Sequence, residues 1–335
     1  MAGRRKIIID TDPGVDDAIT IFAALLHPDV EVIGLTTIFG NCPTTKSTEN
    51  ALGLLELAER ADVPVAKGSD CTFTGEEKLR IADFVHGDDG LGNTGGMRPK
   101  SKAVEATASE FILDCASKHP GEVTVLALGP LTNLAIALRD RPDVPLRSIV
   151  CLGGAFFVNG NVNPSAEANI FCDPHAADLV FGGRVPMQIV PLDVTCRCLF
   201  SSMDLETLAK EGGTIGKCVS DVSQFYADFH KRTYNLNGLM LHDPTAFIAV
   251  VRPDLFYWKS GAVRVACDGL LKGMTVMDEN KKIWRGENPW TGREQHSVAL
   301  QVDDRAVVDA VRATLLGKVQ GRTEQVYKKS LSQVE

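Results

Sequence analysis

Lys6-Ile-Ile-Ile9, then Asp10-Thr-Asp-Pro-Gly-Val-Asp-Asp17, then Ala18-Ile-Thr-Ile-Phe-Ala-Ala-Leu-Leu26 is the stretch that decides the fold. The first piece is a short apolar β-branched run and reads as a buried strand; the last carries the apolar pattern of a helix. Between them, four carboxylates occupy eight residues at the carboxyl end of the strand. At an effective dielectric of 20, two carboxylates ~5 Å apart repel by about 3 kcal/mol. Such a turn needs a cation, shifted pKa values, or both. With oxygen ligands only and no Cys or His nearby, the chemistry favours Ca²⁺ or Mg²⁺ over zinc. Helix capping alone, with Asp12 as the cap, Pro13 at the first position and Asp16 and Asp17 at the positive dipole end, covers three of the acids. It does not account for Asp10, nor for Asp10 and Asp12 flanking Thr11 on the end of a buried strand.

Outward from that turn, strand and helix patterns alternate. Val30 to Ile38 reads as a strand, Thr44 to Arg60 as an amphipathic helix, and Val63 to Ala66 as a short strand. Val104 to Lys118 reads as a helix, Val123 to Leu128 as a strand, Leu131 to Leu138 as a helix. Two more strands, Ser148 to Leu152 and Met187 to Leu192, bracket a helix from Pro174 to Phe181. Further strands fall at Ala262 to Ala266 and Ser297 to Val302, ahead of a helix from Asp304 to Leu316. This βαβ rhythm predicts an α/β fold: an open, mostly parallel sheet with helices on both faces. No composition break divides residues 1–335, so one domain is expected, with 318–335 a frayed tail. Two segments break the rhythm. Asp70 to Lys100, rich in glycine and charge, is a long loop of the kind that is functional or disordered. Ser201 to Leu241 is largely helical; its stripe Ile215, Val219, Val222, Tyr226, Phe229 is expected to face the core, and Tyr234 with Asn235 to Gly238 to form a lid.

The 335 residues carry a formal charge of −8, which argues against nucleic acid or an anionic membrane as partner. Nine cysteines show no paired spacing and read as buried reduced thiols of a cytoplasmic protein. The first strand begins at once, leaving no room for a signal peptide, and no apolar run reaches the length of a membrane span.

Ligands of open parallel sheets bind outside the carboxyl ends of the strands. The unusual residues fall there: Asp10 and Asp12, Phe39-Gly-Asn41, Gly129-Pro-Leu-Thr-Asn133, and the loop from Gly153 to Asn169. In that loop, turn chemistry explains Asn159 and Asn163. Glu167 and Asn169 flank Ala168 and point the same way if extended, which suits a polyhydroxylated ligand. His242-Asp-Pro244 pairs a possible metal ligand with a candidate proton donor. Asp173-Pro174 has the same cap signature and reads as a cap only, and His27, His119, His175 and His296 as structural.

Together, Asp10-Thr-Asp-Pro-Gly-Val-Asp-Asp17, His86-Gly-Asp-Asp-Gly-Leu-Gly92, Ala166-Glu-Ala-Asn169 and His242-Asp-Pro244 resemble the calcium-dependent nucleoside hydrolases of the inosine–uridine-preferring type, in order and over nearly the whole chain. The resemblance implies a Rossmann-like fold and hydrolysis of the N-glycosidic bond of ribonucleosides (uridine, inosine, xanthosine) to ribose and free base, in nucleoside catabolism and salvage. It implies Ca²⁺ held by Asp12, Asp17, Asp243 and the main-chain carbonyl of Leu128, with Asp12 the general base. Asp16, Asn41 and Asn169 would bind the 2′- and 3′-hydroxyls, and Asn161 and Glu167 the 5′-hydroxyl. His242 would donate a proton to the base, and His86 would lie near the base pocket on a mobile loop. A homodimer or homotetramer is implied as well. Leu152 and Ala168 stand where many members place Met and Phe. Trp258, Trp284 and Trp290 all fall late, which disfavours the branch that stacks purines between tryptophans. Two rival readings share the sheet edge: a magnesium-dependent HAD-like phosphatase with Asp10 as nucleophile, and a non-catalytic nucleoside- or sugar-binding protein.

Overall fold

The computed structural model describes residues 3–76 and 81–319. The frayed tail expected from Lys318 lies almost wholly outside them. Eleven strands form in chain order: β1 Arg5–Thr11, β2 Val30–Thr37, β3 Val65–Lys67, β4 Val123–Ala127, β5 Ser148–Leu152, β6 Met187–Val190, β7 Leu199–Ser201, β8 Gly238–Met240, β9 Phe256–Val265, β10 Thr275–Asp278 and β11 Gln295–Val302. Nine make one sheet in the order β10-β9-β11-β6-β5-β4-β1-β2-β3, and β7 and β8 pair separately. From β11 across to β3 every neighbouring pair is parallel; β9 and β10 join antiparallel at one edge.

The period-two geometry of a strand sends alternate side chains of β1 to opposite faces. Ile7 and Ile9 pack in one core with the helices Val15–Leu26, Thr44–Leu57 and His242–Val251. Ile8 packs in the other, with Ala108–Lys118, Thr132–Asp140 and Pro174–Val180. Burial on both faces is why β1 reads as a continuous apolar run rather than an alternating one. The strand order reverses between β1 and β4, where neighbouring crossovers lead to opposite sides and leave a crevice at the carboxyl ends. Asp10 and Asp12 stand at that point.

Several expected boundaries move. The helix from Thr44 ends at Leu57 rather than Arg60. The next begins at Ala108 rather than Val104, because Thr107 caps it with Glu110 in a reciprocal box while Val104 bridges to Ala66. The Ser201–Leu241 segment divides into helices Ser202–Glu211 and Gly213–Tyr234, broken where Gly213 takes φ +60°. The expected lid is partly strand: Asn235 closes the long helix in the left-handed conformation, and Gly238 already pairs with Ser201 in β8. Within the long 70–100 loop, Asp83–His86 forms a short helical turn. Of the nine cysteines four are buried, four partly buried and Cys196 exposed, so the expectation of uniformly buried thiols holds only in part. Among the described residues, no helix is long and apolar enough to cross a membrane.

Candidate active site

The acidic turn is built by strand β1 and the first turn of the helix Val15–Leu26. Asp12 is not its cap: Gly14 takes that position, and the Asp17 carboxylate reaches back to accept the Gly14 N–H at 2.9 Å. Asp17 also accepts from the Thr11 hydroxyl at 2.5 Å and from Asn41 Nδ2 at 3.0 Å. Asp12 Oδ2 accepts the Asn41 main-chain N–H at 2.6 Å. The backbone approaches so closely that a Cβ on Gly40 would lie 1.7 Å from Asp12 Oδ2, and one on Gly129 2.7 Å from Oδ1. Glycine is needed there for space.

Asp10 lies one layer below. Its Oδ1 accepts from Thr36 Oγ1 at 2.6 Å and Asn133 Nδ2 at 2.8 Å, while the buried Oδ2 has no hydrogen-bond partner among the described residues. Burial pushes its carboxyl up to about 6, against those two hydrogen bonds.

The chain brings Asp243, 226 positions after Asp17, to the same place, on the first turn of the helix His242–Val251. One carboxylate oxygen from each of Asp16, Asp17 and Asp243 lies within 4.8 Å of the others, and all three residues are buried. Burial pushes each carboxyl up, Asp16 to about 7, with the neighbouring acids adding to the shift at Asp16 and Asp243. No Lys or Arg among the described residues lies within salt-bridge distance of these three. Crowded buried carboxylates without a Lys or Arg partner are the donor set of a hard divalent cation. Asp12 is not one of the three but sits beside them on the turn. The Leu128 carbonyl, at the end of β4, accepts from Asn169 Nδ2 at 2.6 Å, which ties Asn169 to the same edge and leaves that carbonyl a second lone pair.

Glu167 is extended (φ −82°, ψ 150°), but the chain turns into helix at Ala168, so Glu167 and Asn169 do not alternate along one strand as the pattern suggested. Glu167 caps the helix Ala168–Cys172, accepting the N–H groups of Asn169 at 2.9 Å, Ile170 at 3.1 Å and Gly154 at 3.2 Å. Burial raises its carboxyl against those bonds. Asn161 Oδ1 accepts the Ala168 N–H at 2.9 Å, whereas Asn163 closes a turn onto Ser165. Asn161 therefore belongs to the Glu167 loop, and Asn163 is turn chemistry.

Two histidines lie beside this cluster, His86 at the end of the turn Asp83–His86 and His242 next to Asp243 on its helix. His86 Nδ1 accepts the Val15 N–H at 3.1 Å, its ring stacks on Tyr226 with centroids 5.1 Å apart, and Nδ1 lies 4.0 Å from Asp16. The segment bearing His86 is held by these contacts rather than hanging free. His242 Nδ1 lies 2.8 Å from Thr195 Oγ1, and burial with the nearby His230 pushes its imidazole down to about 3. It is therefore neutral at neutral pH and can donate only through a neutral ring N–H.

Three residues were not singled out for the site. Tyr226 was assigned to the core stripe; it is buried, yet its hydroxyl lies 3.4 Å from Asp16 Oδ2. Thr195 carries no sequence signal, being recognisable only once β6 brings its following turn beside His242. Asn133 stood at a strand end without an assigned task. Asp173 is more than a cap: besides Ala176 N–H at 3.0 Å, it accepts Phe73 N–H at 2.6 Å and Thr132 Oγ1 at 2.7 Å while buried.

A family model described as "Inosine-uridine preferring nucleoside hydrolase" matches residues 7–309. The chain is 47% identical over 313 residues to "Uridine nucleosidase 1" of Arabidopsis thaliana, covering 93% of each chain. Among solved structures it superposes with a "Plant nucleoside hydrolase - PpNRh1 enzyme" at TM-score 0.91 and 44% identity, over 93% of this chain and 99% of that one. A "Purine-Preferring Ribonucleoside Hydrolase from Gardnerella vaginalis" matches at TM-score 0.86 and 30% identity, over 94% and 100%. The family model spans residues 7–309 and these relatives match over 93% or more of the chain, so the phosphatase and binding-protein readings fall away, and the chain belongs to the inosine–uridine preferring nucleoside hydrolases.

Proposed function

We propose that the crevice between β1 and β4 hydrolyses ribonucleosides with Ca²⁺ held by Asp12, Asp17, Asp243 and the Leu128 carbonyl, and with uridine as the preferred substrate. The observation that carries this reading is the trio Asp16, Asp17 and Asp243 buried together at the switch point of the sheet, with no Lys or Arg among the described residues within salt-bridge distance. A bound divalent cation there supplies positive charge that keeps the carboxylates ionised and makes a nearby water easier to deprotonate. Asp12, held in place by the Asn41 N–H on Oδ2, would accept the proton of the attacking water. Asp16, Asn41 and Asn169 bind the 2′- and 3′-hydroxyls, and Asn161 and Glu167 the 5′-hydroxyl. The transition state resembles an oxocarbenium ion, so a ring of acids around the sugar stabilises charge as it develops. Glu167 is suited to this: three main-chain N–H groups fix its carboxylate before substrate arrives. His86 and His242 face the base, and His242 donates a hydrogen bond from its neutral ring N–H to the leaving group.

Uridine as the base preference rests on the likeness to a plant uridine nucleosidase and on the late placement of all three tryptophans. We also read the chain as one cytoplasmic domain that assembles as a homodimer or homotetramer, which light scattering on the purified protein tests. Ribose release from uridine, inosine, xanthosine and cytidine, measured before and after exhaustive chelation and after Ca²⁺ is restored, tests the whole. Uridine is expected to lead, chelation to abolish turnover, and Ca²⁺ to restore it. Full activity after chelation would overturn the metal assignment.

A further inference from the structure

Asn50 lies in the middle of the helix Thr44–Leu57, fully buried, in no motif of the site. Its Nδ2 donates to the Pro13 carbonyl at 3.1 Å and to the Asp89 carbonyl at 2.9 Å. One carbonyl belongs to the acidic turn and the other to the segment bearing His86. Both acceptors are main-chain oxygens, so the amide orientation is fixed: the flipped form would set oxygen against oxygen. Asn50 Oδ1 is buried without a hydrogen-bond partner among the described residues. The protein thus tolerates an unsatisfied acceptor at a position where an apolar side chain would pack, and the two donated bonds offset that cost.

The grip extends beyond one residue because the segment behaves as a unit. Asp89 Oδ1 accepts the N–H groups of Leu91 and Asn93, each at 2.8 Å; Oδ2 accepts those of Gly95 at 3.2 Å and Gly96 at 3.0 Å. Gly92 N–H in turn donates to the His86 carbonyl at 2.7 Å. Gly90, with φ +77°, is where the segment meets the turn; a Cβ there would lie 3.0 Å from Asn50 Nδ2 and 3.1 Å from the Pro13 carbonyl oxygen. The acidic turn is held apart from Asn50 by Asn41, which donates to both Asp12 and Asp17, and by its internal bonds from Thr11 and Gly14 to Asp17.

We propose that Asn50 is a positioning residue that clamps the His86 segment onto the acidic turn, so that His86 meets the substrate already placed. This rests on the reading that His86 faces the base. Because the turn is anchored independently, loss of the clamp should release the His86 side and leave the acids where they are. The test is a double-mutant cycle with Asn50→Leu and His86→Ala, using uridine. Asn50→Leu is expected to lower kcat/KM by about 10- to 10²-fold, the scale of a misplaced contact group, mainly through KM, and to speed amide exchange across residues 87–96. In the His86→Ala background the same substitution should change kcat/KM by less than about threefold. Equal losses in both backgrounds would overturn the clamp, as would an Asn50→Leu enzyme with a lowered melting temperature but wild-type KM. If His86→Ala alone leaves kcat/KM intact, the placement of His86 at the base fails instead. Should Asn50→Leu not fold, Asn50→Ser, which keeps one donor, replaces it in the same cycle with the same criteria.

Discussion

Cation affinity should depend steeply on pH, because the buried acids must shed protons before they can hold a metal. Asp16 is pushed up to about 7, and Asp17 and Asp243 are raised as well, burial being the largest cause in each. A group of that pKa is ionised in about one molecule in a hundred at pH 5 and in about nine in ten at pH 8. The ligands Asp17 and Asp243 therefore bind the cation less well as pH falls, and Asp16, whose carboxylate adjoins theirs, adds up to about 10²-fold, or about 3 kcal/mol, between pH 8 and pH 5 as its charge is lost. Carboxyls near the ordinary value of about 4 would change it barely at all. The sign for stability is opposite in the two forms. A raised carboxyl favours the fold when protonated, so the metal-free protein gains stability as pH falls through 7. The Ca²⁺-saturated protein loses its metal contribution over the same window. Calorimetric titration of chelated protein with Ca²⁺ at pH 5, 6.5 and 8, repeated in buffers of different ionisation enthalpy, reads both the affinity and the protons released. An affinity constant within threefold across that range, with no proton release, would refute the reasoning.

Three further outcomes follow from the geometry. Asp12→Asn should lower kcat by about 10²–10⁴ with the fold intact, because it removes the proton acceptor; circular dichroism and steady-state kinetics on one preparation check it. Asp173→Asn should do the reverse, leaving kcat within a few-fold while destabilising by about 1–3 kcal/mol in urea melts, since one carboxylate there satisfies a helix end, the Phe73 N–H and the Thr132 hydroxyl. His242→Ala should cut turnover of inosine by about 10²-fold or more and spare p-nitrophenyl riboside, whose leaving group needs no proton. Equal damage to both substrates would make His242 a support for Asp243.

The parallel sheet was legible because β1, β4 and β5 are buried on both faces and so print continuous apolar runs. The switch point followed, since the acids stand at the end of the first strand. Boundaries were less legible: Thr107-Ala-Ser-Glu110 is a local capping-box signal for the helix start, but the bridge from Val104 to Ala66 that holds the preceding residues out of the helix is a tertiary contact. Glu167 is extended as its pattern suggests, but the helix that starts at Ala168 takes Asn169 out of the extended stretch, and Glu-Ala-Asn reads locally as either. Tyr226 was hidden for a different reason. A tyrosine on an apolar stripe looks like core, and only the packing of the long helix against the acidic turn shows that its hydroxyl reaches Asp16. Thr195 and Asn50 act through partners 47 and 37 or more positions away, a relation no window of sequence contains.

The central claim is that this sheet edge recognises ribose by its hydroxyls and breaks its bond to a base. The ratio of kcat/KM for uridine to that for 2′-deoxyuridine, followed by release of reducing sugar, tests it most directly. A site whose Asp16, Asn41 and Asn169 bond the 2′- and 3′-hydroxyls should favour uridine by about 10⁴ or more, because removing the hydroxyl leaves buried polar groups unpaired. Comparable rates with the two substrates would contradict the account.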